Sequence, residues 1–505
     1  MNIINIMNFV RRCDPRLDNS EQILFDCTRR ELELVKQYGV ANTFLLQYDA
    51  LIDPRYRELF SENADSRTEL GLWLEIVRPL TDACGLPWRG REGWDWDWTV
   101  VPGFSPAYTP AQREKLIDEC MAKFREIYGF YPMTVGSWLL DTHTANYLSD
   151  RYHVSALAIC RDQVNTDAYT LVGGCFNQPY YPSRKNIFTP AQTARSALPV
   201  PVFRLLGSDP IHNYDNDRHL YDGENGRFFT PDRKYNGCYT MEPVWDCGSR
   251  PEIVDWFFDC YFTNENLGFG YTQLGQENSF GNTDFLPALK MQLDKAVKLK
   301  NVSFLTMKET GEAFRRLYPS LTPATSVCAL KDFNRGNDVQ SAWYNCANYT
   351  ANVLRDKGRV SLRCLYLFDE NVPDAYLTEP CKTWDAEYAN LPVVDTLRGG
   401  DTLGLVLDDG AKAFSCRKTT EGILCVKWDR GSVVFTEHGL TVNLREGELC
   451  LKGCAADVRV DGKRLRFVCK GHPYALVCTT PIEKTADGCR FLPDGGSFSL
   501  TFERG

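Results

Sequence analysis

Histidine is scarce in this chain: there are six in 505 residues, and none forms a His-x-x-x-His pair. That excludes the helical zinc-binding pair of a metalloprotease. The chain also lacks an excess of positive charge, its formal net charge being −9. A basic face following nucleic-acid phosphates is therefore not expected, and a neutral polyol substrate suits the surface better. No apolar run is long enough to span a bilayer, and Met1–Phe9 lacks the charged segment and long apolar core of a secretory signal. The expectation is a cytoplasmic protein with no membrane partner. Tandem repeats and low-complexity segments are missing too.

Cysteine, in contrast, is plentiful, with 20 residues. They scatter through apolar runs such as Leu157–Cys160 and Gly422–Cys425, the pattern of free core thiols and not of a small disulfide scaffold. The close pair Cys450 and Cys454 has no histidine or second cysteine pair at zinc-site spacing. With 43% hydrophobic residues, a chain of this length can bury large cores and should hold at least two domains.

The first 325 residues alternate apolar strands with helical segments. Strands are expected at Ile3–Phe9, Thr43–Asp49, Thr68–Glu75, Met133–Asp141, Ser155–Gln163, Pro199–Asp209, Phe269–Glu277 and Val302–Met307, with helices at Glu31–Tyr38, Ala111–Tyr128, Thr142–Tyr152 and Phe285–Leu299. Such repetition predicts a parallel (β/α)7- or (β/α)8-like barrel over 1–325. From about Ser326 the texture changes to short strands broken by Gly, Asp and Asn turns, which predicts an antiparallel β-sandwich over 326–505.

Several barrel segments end in polar or acidic groups: Asp14, Asp49, Asp141, the run Arg161, Asp162 and Gln163, Asp209, Glu242, and Gln276 with Glu277. A parallel barrel gathers such ends at one mouth. Neighbouring carboxylates there push their pKa values apart, leaving one as an acid and another as a base or nucleophile. Each acid taken singly also fits a helix cap or a buried ion pair, Asp141 before Thr142–Tyr152 especially. The loop Pro87–Trp98 carries Trp88, Trp94, Trp96 and Trp98. These, with Trp138 and Tyr181, are candidate walls for sugar rings; a satellite aromatic cluster is the other reading of the loop.

Tyr131-Pro132, Val135-Gly-Ser-Trp138 and Asp141 together resemble the nucleophile strand of the barrel glycosidases of family 57, and are similar to the Gly-Trp…Asp segment of the family 38 α-mannosidases. Gln276-Glu277-Asn-Ser-Phe280-Gly281, followed by an apolar helix and Val302–Met307, resembles the segment carrying the general acid in family 57. The resemblance implies a retaining glycoside hydrolase or transglycosylase acting on an oligosaccharide or glycoside, with Asp141 as nucleophile and Glu277 as acid. Asp14, Asp49, Asp162, Asp209 and Glu242 would then hold sugar hydroxyls, and no cofactor or metal is expected. In two respects the chain departs from the pattern: Gln276 stands where family 57 has its acid, and Trp73 and Glu75 stand where a His-rich segment would be. The related NodB-type deacetylases use a metal held by Asp and His, which makes a metal-dependent deacetylase the second enzyme reading. A carbohydrate-binding protein on a barrel without activity is a third.

Overall fold

Asn2–Val10 (β1) is apolar at six of its nine positions, Asn2, Asn5 and Asn8 being the exceptions, and is buried on both faces, as a central parallel strand must be. The computed structural model describes residues 1–166, 169–213, 240–333, 338–388, 391–396, 405–444, 449–452, 458–486 and 488–505. Around β1 stand Asn42–Leu46 (β2), Thr68–Trp73 (β3), Thr134–Gly136 (β4), Ala156–Ile159 (β5), Val202–Arg204 (β6), Gly270–Leu274 (β7) and Val302–Phe304 (β8). The sheet runs β6-β5-β4-β3-β2-β1-β7, every pairing parallel, and β8 also pairs with β1. It is an open, (β/α)7-like barrel. Across the gap, the backbone N–H of Leu206, just past β6, donates to Gln273 Oε1 on β7 at 2.7 Å.

Outer helices include Ser20–Tyr38 (α1), Pro110–Tyr128 (α2) and Thr142–Tyr152 (α3). α2 starts with a capping box from Thr109 and Gln112 and stops at Gly129, in the left-handed region at φ 82°. A further helix, Met307–Leu317 (α4), closes the N-terminal end of the barrel: its Met307 and Lys308 N–H groups donate to Thr43 Oγ1 and Glu69 Oε2, at the starts of β2 and β3.

All the barrel strands but β1 are shorter than expected, and for β2 and β4 this moves a candidate acid off the strand end. β4 keeps only Thr134–Gly136, because Ser137–Asp141 leaves the sheet, and Asp49 lies in the short helix Tyr48–Ile52, not at a strand end.

The C-terminal part is an antiparallel β-sandwich of one nine-stranded and one eight-stranded sheet. Along Val339–Asn345 the alternation of a strand divides the two cores: Ala342 and Tyr344 face the sandwich interior, whereas Val339 and Trp343 join the barrel core. Among the described residues no helix is long and apolar enough to cross a membrane. His219 and Cys454 lie outside the described residues.

Candidate active site

The carboxyl ends of β1, β2, β3 and β7 bring four polar side chains together: Arg11, Gln47, Glu75 and Glu277. Gly275 makes the last of these possible. Its φ is 121°, and a Cβ there would stand 2.0 Å from the Met7 carbonyl oxygen, so only glycine lets the end of β7 fold against β1 and deliver Gln276 and Glu277. The Arg11 guanidinium is buried and forks onto Glu75, with Nε and Nη2 each at 3.0 Å, while Nη1 donates to Glu277 at 2.6 Å and to Ser279 at 2.9 Å. Its face lies 4.5 Å from the ring centroid of Trp96, whose indole N–H donates to Glu75 at 2.8 Å. Gln47 donates to Glu75 as well. Burial works against the charge on Arg11, but Glu277 and Glu75 outweigh it and its pKa is raised.

Glu242 completes the cluster. It accepts hydrogen bonds from Thr240 (3.0 Å), Trp245 Nε1 (3.1 Å) and Gln276 Nε2 (3.3 Å). Burial first, and the charge of Glu277 second, push its carboxyl up to about 7, so it titrates near neutrality, with the protonated and ionised forms both populated. Glu242 and Glu277 are 7% and 6% exposed, against 0% for Glu31 in the core beneath α1, so the pair keeps a small opening to solvent. Phe9, Trp73 and Trp138, near the ends of β1, β3 and β4, pack together with ring centroids 4.4 to 5.3 Å apart.

The tryptophan loop covers the same half of the mouth. Trp96 is buried, and Trp88, Trp94 and Trp98 are half-buried. Arginines occupy several ring faces: Arg16 stands 5.0 Å from Trp96 and 5.2 Å from Trp98, and Arg91 stands 4.5 Å from Trp94 and 4.1 Å from Trp98. Asp14, fully buried, is held by the Arg16 side chain.

The other expected residues lie elsewhere. Asp141 caps α3 and is completely enclosed: it accepts from Ser105 Oγ (2.6 Å), Arg113 Nη1 (2.7 Å), and Thr144 N (3.0 Å) and Oγ1 (2.7 Å). With both oxygens committed inside the helical layer, it offers no lone pair to a substrate, which departs from the nucleophile's place that the resemblance implied. Asp49 accepts from the backbone of Ala50 and Arg12, and burial pushes it up to about 6. The ends of β5 and β6 are sealed by the sandwich. Arg204 holds Asp162, Arg161 donates to Asn213, and Cys160 donates to Gln163. Asp209 accepts from the N–H groups of Ile211 and His212, and Trp343 and Arg363 of the sandwich reach the carbonyls of Pro210 and Ile211. Tyr181 packs on Phe314 of α4, toward the opposite end of the barrel.

Arg11, Gln47 and Ser279 were not among the residues the sequence singled out, and Glu75 was noted only as a departure from the resemblance. The signal available was position alone, since Arg11 directly follows β1 and Glu75 stands two residues past β3.

The described residues do not fit the Asp- and His-held metal that the second enzyme reading would need. Among the described residues no group of three His, Cys, Asp or Glu side chains could hold an ion. His143 pairs with Glu114, His153 follows α3 and bonds Ser149, and His212 pairs with Asp332, all away from the carboxylates around Arg11.

Comparison with known proteins agrees with this geometry at the level of the fold. A candidate glycoside hydrolase/deacetylase from Parabacteroides distasonis superposes with a TM-score of 0.58 over 79% of this chain and 92% of its own, at 15% identity. The likeness is one of fold, a barrel followed by a sandwich. A polysaccharide deacetylase assignment from Pseudomonas aeruginosa (TM-score 0.39, 13% identity, 63% of this chain and 92% of that one) and a GH57 branching enzyme from Thermococcus kodakaraensis (0.30, 10%, 63% and 71%) overlap it more loosely. In sequence, a family described as a domain of unknown function (DUF3863) matches residues 95–326. No curated protein matches the chain in sequence.

Proposed function

We propose that this chain is a carbohydrate-active enzyme that cleaves a glycosidic bond at the barrel mouth, with Glu242 as general acid and Glu277 as nucleophile or base. The observation that carries the proposal is the pair itself: two glutamates at one end of the barrel near a tryptophan loop, one titrating near neutrality and the other ion-paired to Arg11. Glu242 gives its proton to the leaving oxygen as the bond to the anomeric carbon breaks. Glu277 either attacks that carbon or takes a proton from the water that does. Retention requires the two carboxyl groups roughly 5–5.5 Å apart, and inversion roughly 6.5–9.5 Å. The remaining candidates support the site from outside: Asp14 holds Arg16 against the tryptophans, and Gln276 orients Glu242.

The test is a screen against nitrophenyl glycosides and natural oligosaccharides, with NMR detection of the first anomer released. Turnover with a defined anomer is expected. Saturable sugar binding without turnover would favour a binding protein instead.

A further inference from the structure

The carboxylates of the mouth converge on an arginine. Glu75 lies along one edge of the Arg11 guanidinium, Glu277 and Ser279 share its remaining nitrogen, and Trp96 covers a face. Carboxylate oxygens arriving from separate strands at one enclosed point are also what a hard divalent cation requires. Here the positive charge that holds them is part of the chain.

We propose that Arg11 is the resident cation of the mouth, a positioning residue that orients Glu277 and closes the site to divalent metal ions. A guanidinium suits that task because it is planar, keeps its charge, and presents donors in a fixed fork matched to carboxylates. It differs from a metal ion in offering no open coordination position, so it holds Glu277 without binding water between them. An incoming ion would have to displace a side chain fixed by four hydrogen bonds and a ring face, and then stand beside its charge. Asp14, the other acid near this point, is already taken by Arg16. The inference deepens the reading of the mouth as the reacting site, but its metal-binding test does not depend on that reading.

The experiment titrates the full-length protein, Arg11→Lys and Arg11→Ala with Mn²⁺, reading free ion by electron paramagnetic resonance and fold by circular dichroism. Wild type and Arg11→Lys are expected to bind no stoichiometric Mn²⁺. Arg11→Ala is expected to bind one ion per chain, lost again when Glu277→Gln is added, and to regain thermal stability with Mn²⁺ or low guanidinium. Three results overturn the proposal: one Mn²⁺ on wild type that Glu277→Gln removes, a folded Arg11→Ala that takes no ion, or an unfolded Arg11→Ala that neither Mn²⁺ nor guanidinium restores. Absence of sugar turnover alongside the expected metal results would remove the glycosidase reading and leave this one standing.

Discussion

Glu242 titrates near neutrality, at a cost to the folded state that can be measured. Its carboxyl is raised from an ordinary value of 4.5 to about 7, so the folded chain binds the proton more tightly than the unfolded one. The corresponding stability is fully present below pH 4.5 and is lost as pH rises through about 7. Glu242→Gln should abolish that decline, changing the difference from wild type by about 3 kcal/mol between acid and pH 8; urea unfolding at several pH values measures it. Asp141 makes the opposite kind of prediction. Its pair with Arg113 has both side chains at 0% exposure, so Asp141→Asn should cost roughly 3–5 kcal/mol by leaving a buried charge without its counter-ion. The sequence showed that Asp141 is an acid before a helix, which fits a cap and a nucleophile equally. Only the arrival of Ser105 and Arg113, 36 and 28 residues away in the chain, decides for the cap.

Among the elements, α1 contains a residue that its own pattern contradicts. Leu24, Cys27, Thr28, Leu32 and Val35 form its buried stripe, and Glu31 lies in the middle of it with neither carboxyl oxygen hydrogen-bonded. Burial raises its pKa well above the usual carboxylate range. Glu31→Met should therefore stabilise the fold by roughly 1–3 kcal/mol at pH 8, with the gap narrowing toward pH 4 as the glutamate protonates in both states. Thermal unfolding at the two pH values tests this. Elements with local signals were readable from sequence, as Thr142–Tyr152 shows, because its cap and apolar spacing lie within the helix itself. β4 was not, because the apolar run Met133–Leu140 reads as one strand whether or not its second half leaves the sheet.

At the scale of the whole molecule, the barrel and the sandwich share a core. Trp343 stacks on Phe176 with ring centroids 3.9 Å apart, and its indole N–H donates to Pro210, so the sandwich seals the ends of β5 and β6 and leaves the other half of the mouth to the glutamates. Two parts joined in this way should unfold together, giving one calorimetric transition for the full chain. Trp343→Ala should cost roughly 3–5 kcal/mol and split or broaden that transition. The pairing of a barrel with an antiparallel sandwich was legible from the change in strand texture. The half of the mouth that is blocked was not, because Trp343 and Pro210 meet across 133 residues and no local pattern announces the contact.

The central claim is that the chemistry belongs to the glutamates beside Arg11 and not to the acid that caps α3. The most direct measurement compares Glu277→Gln with wild type on the glycoside that the screen identifies, with melting temperature recorded on the same samples. The expected result is a loss of turnover of roughly 10²–10⁴-fold, measured below the variant's own melting transition. Full turnover in Glu277→Gln would contradict the account.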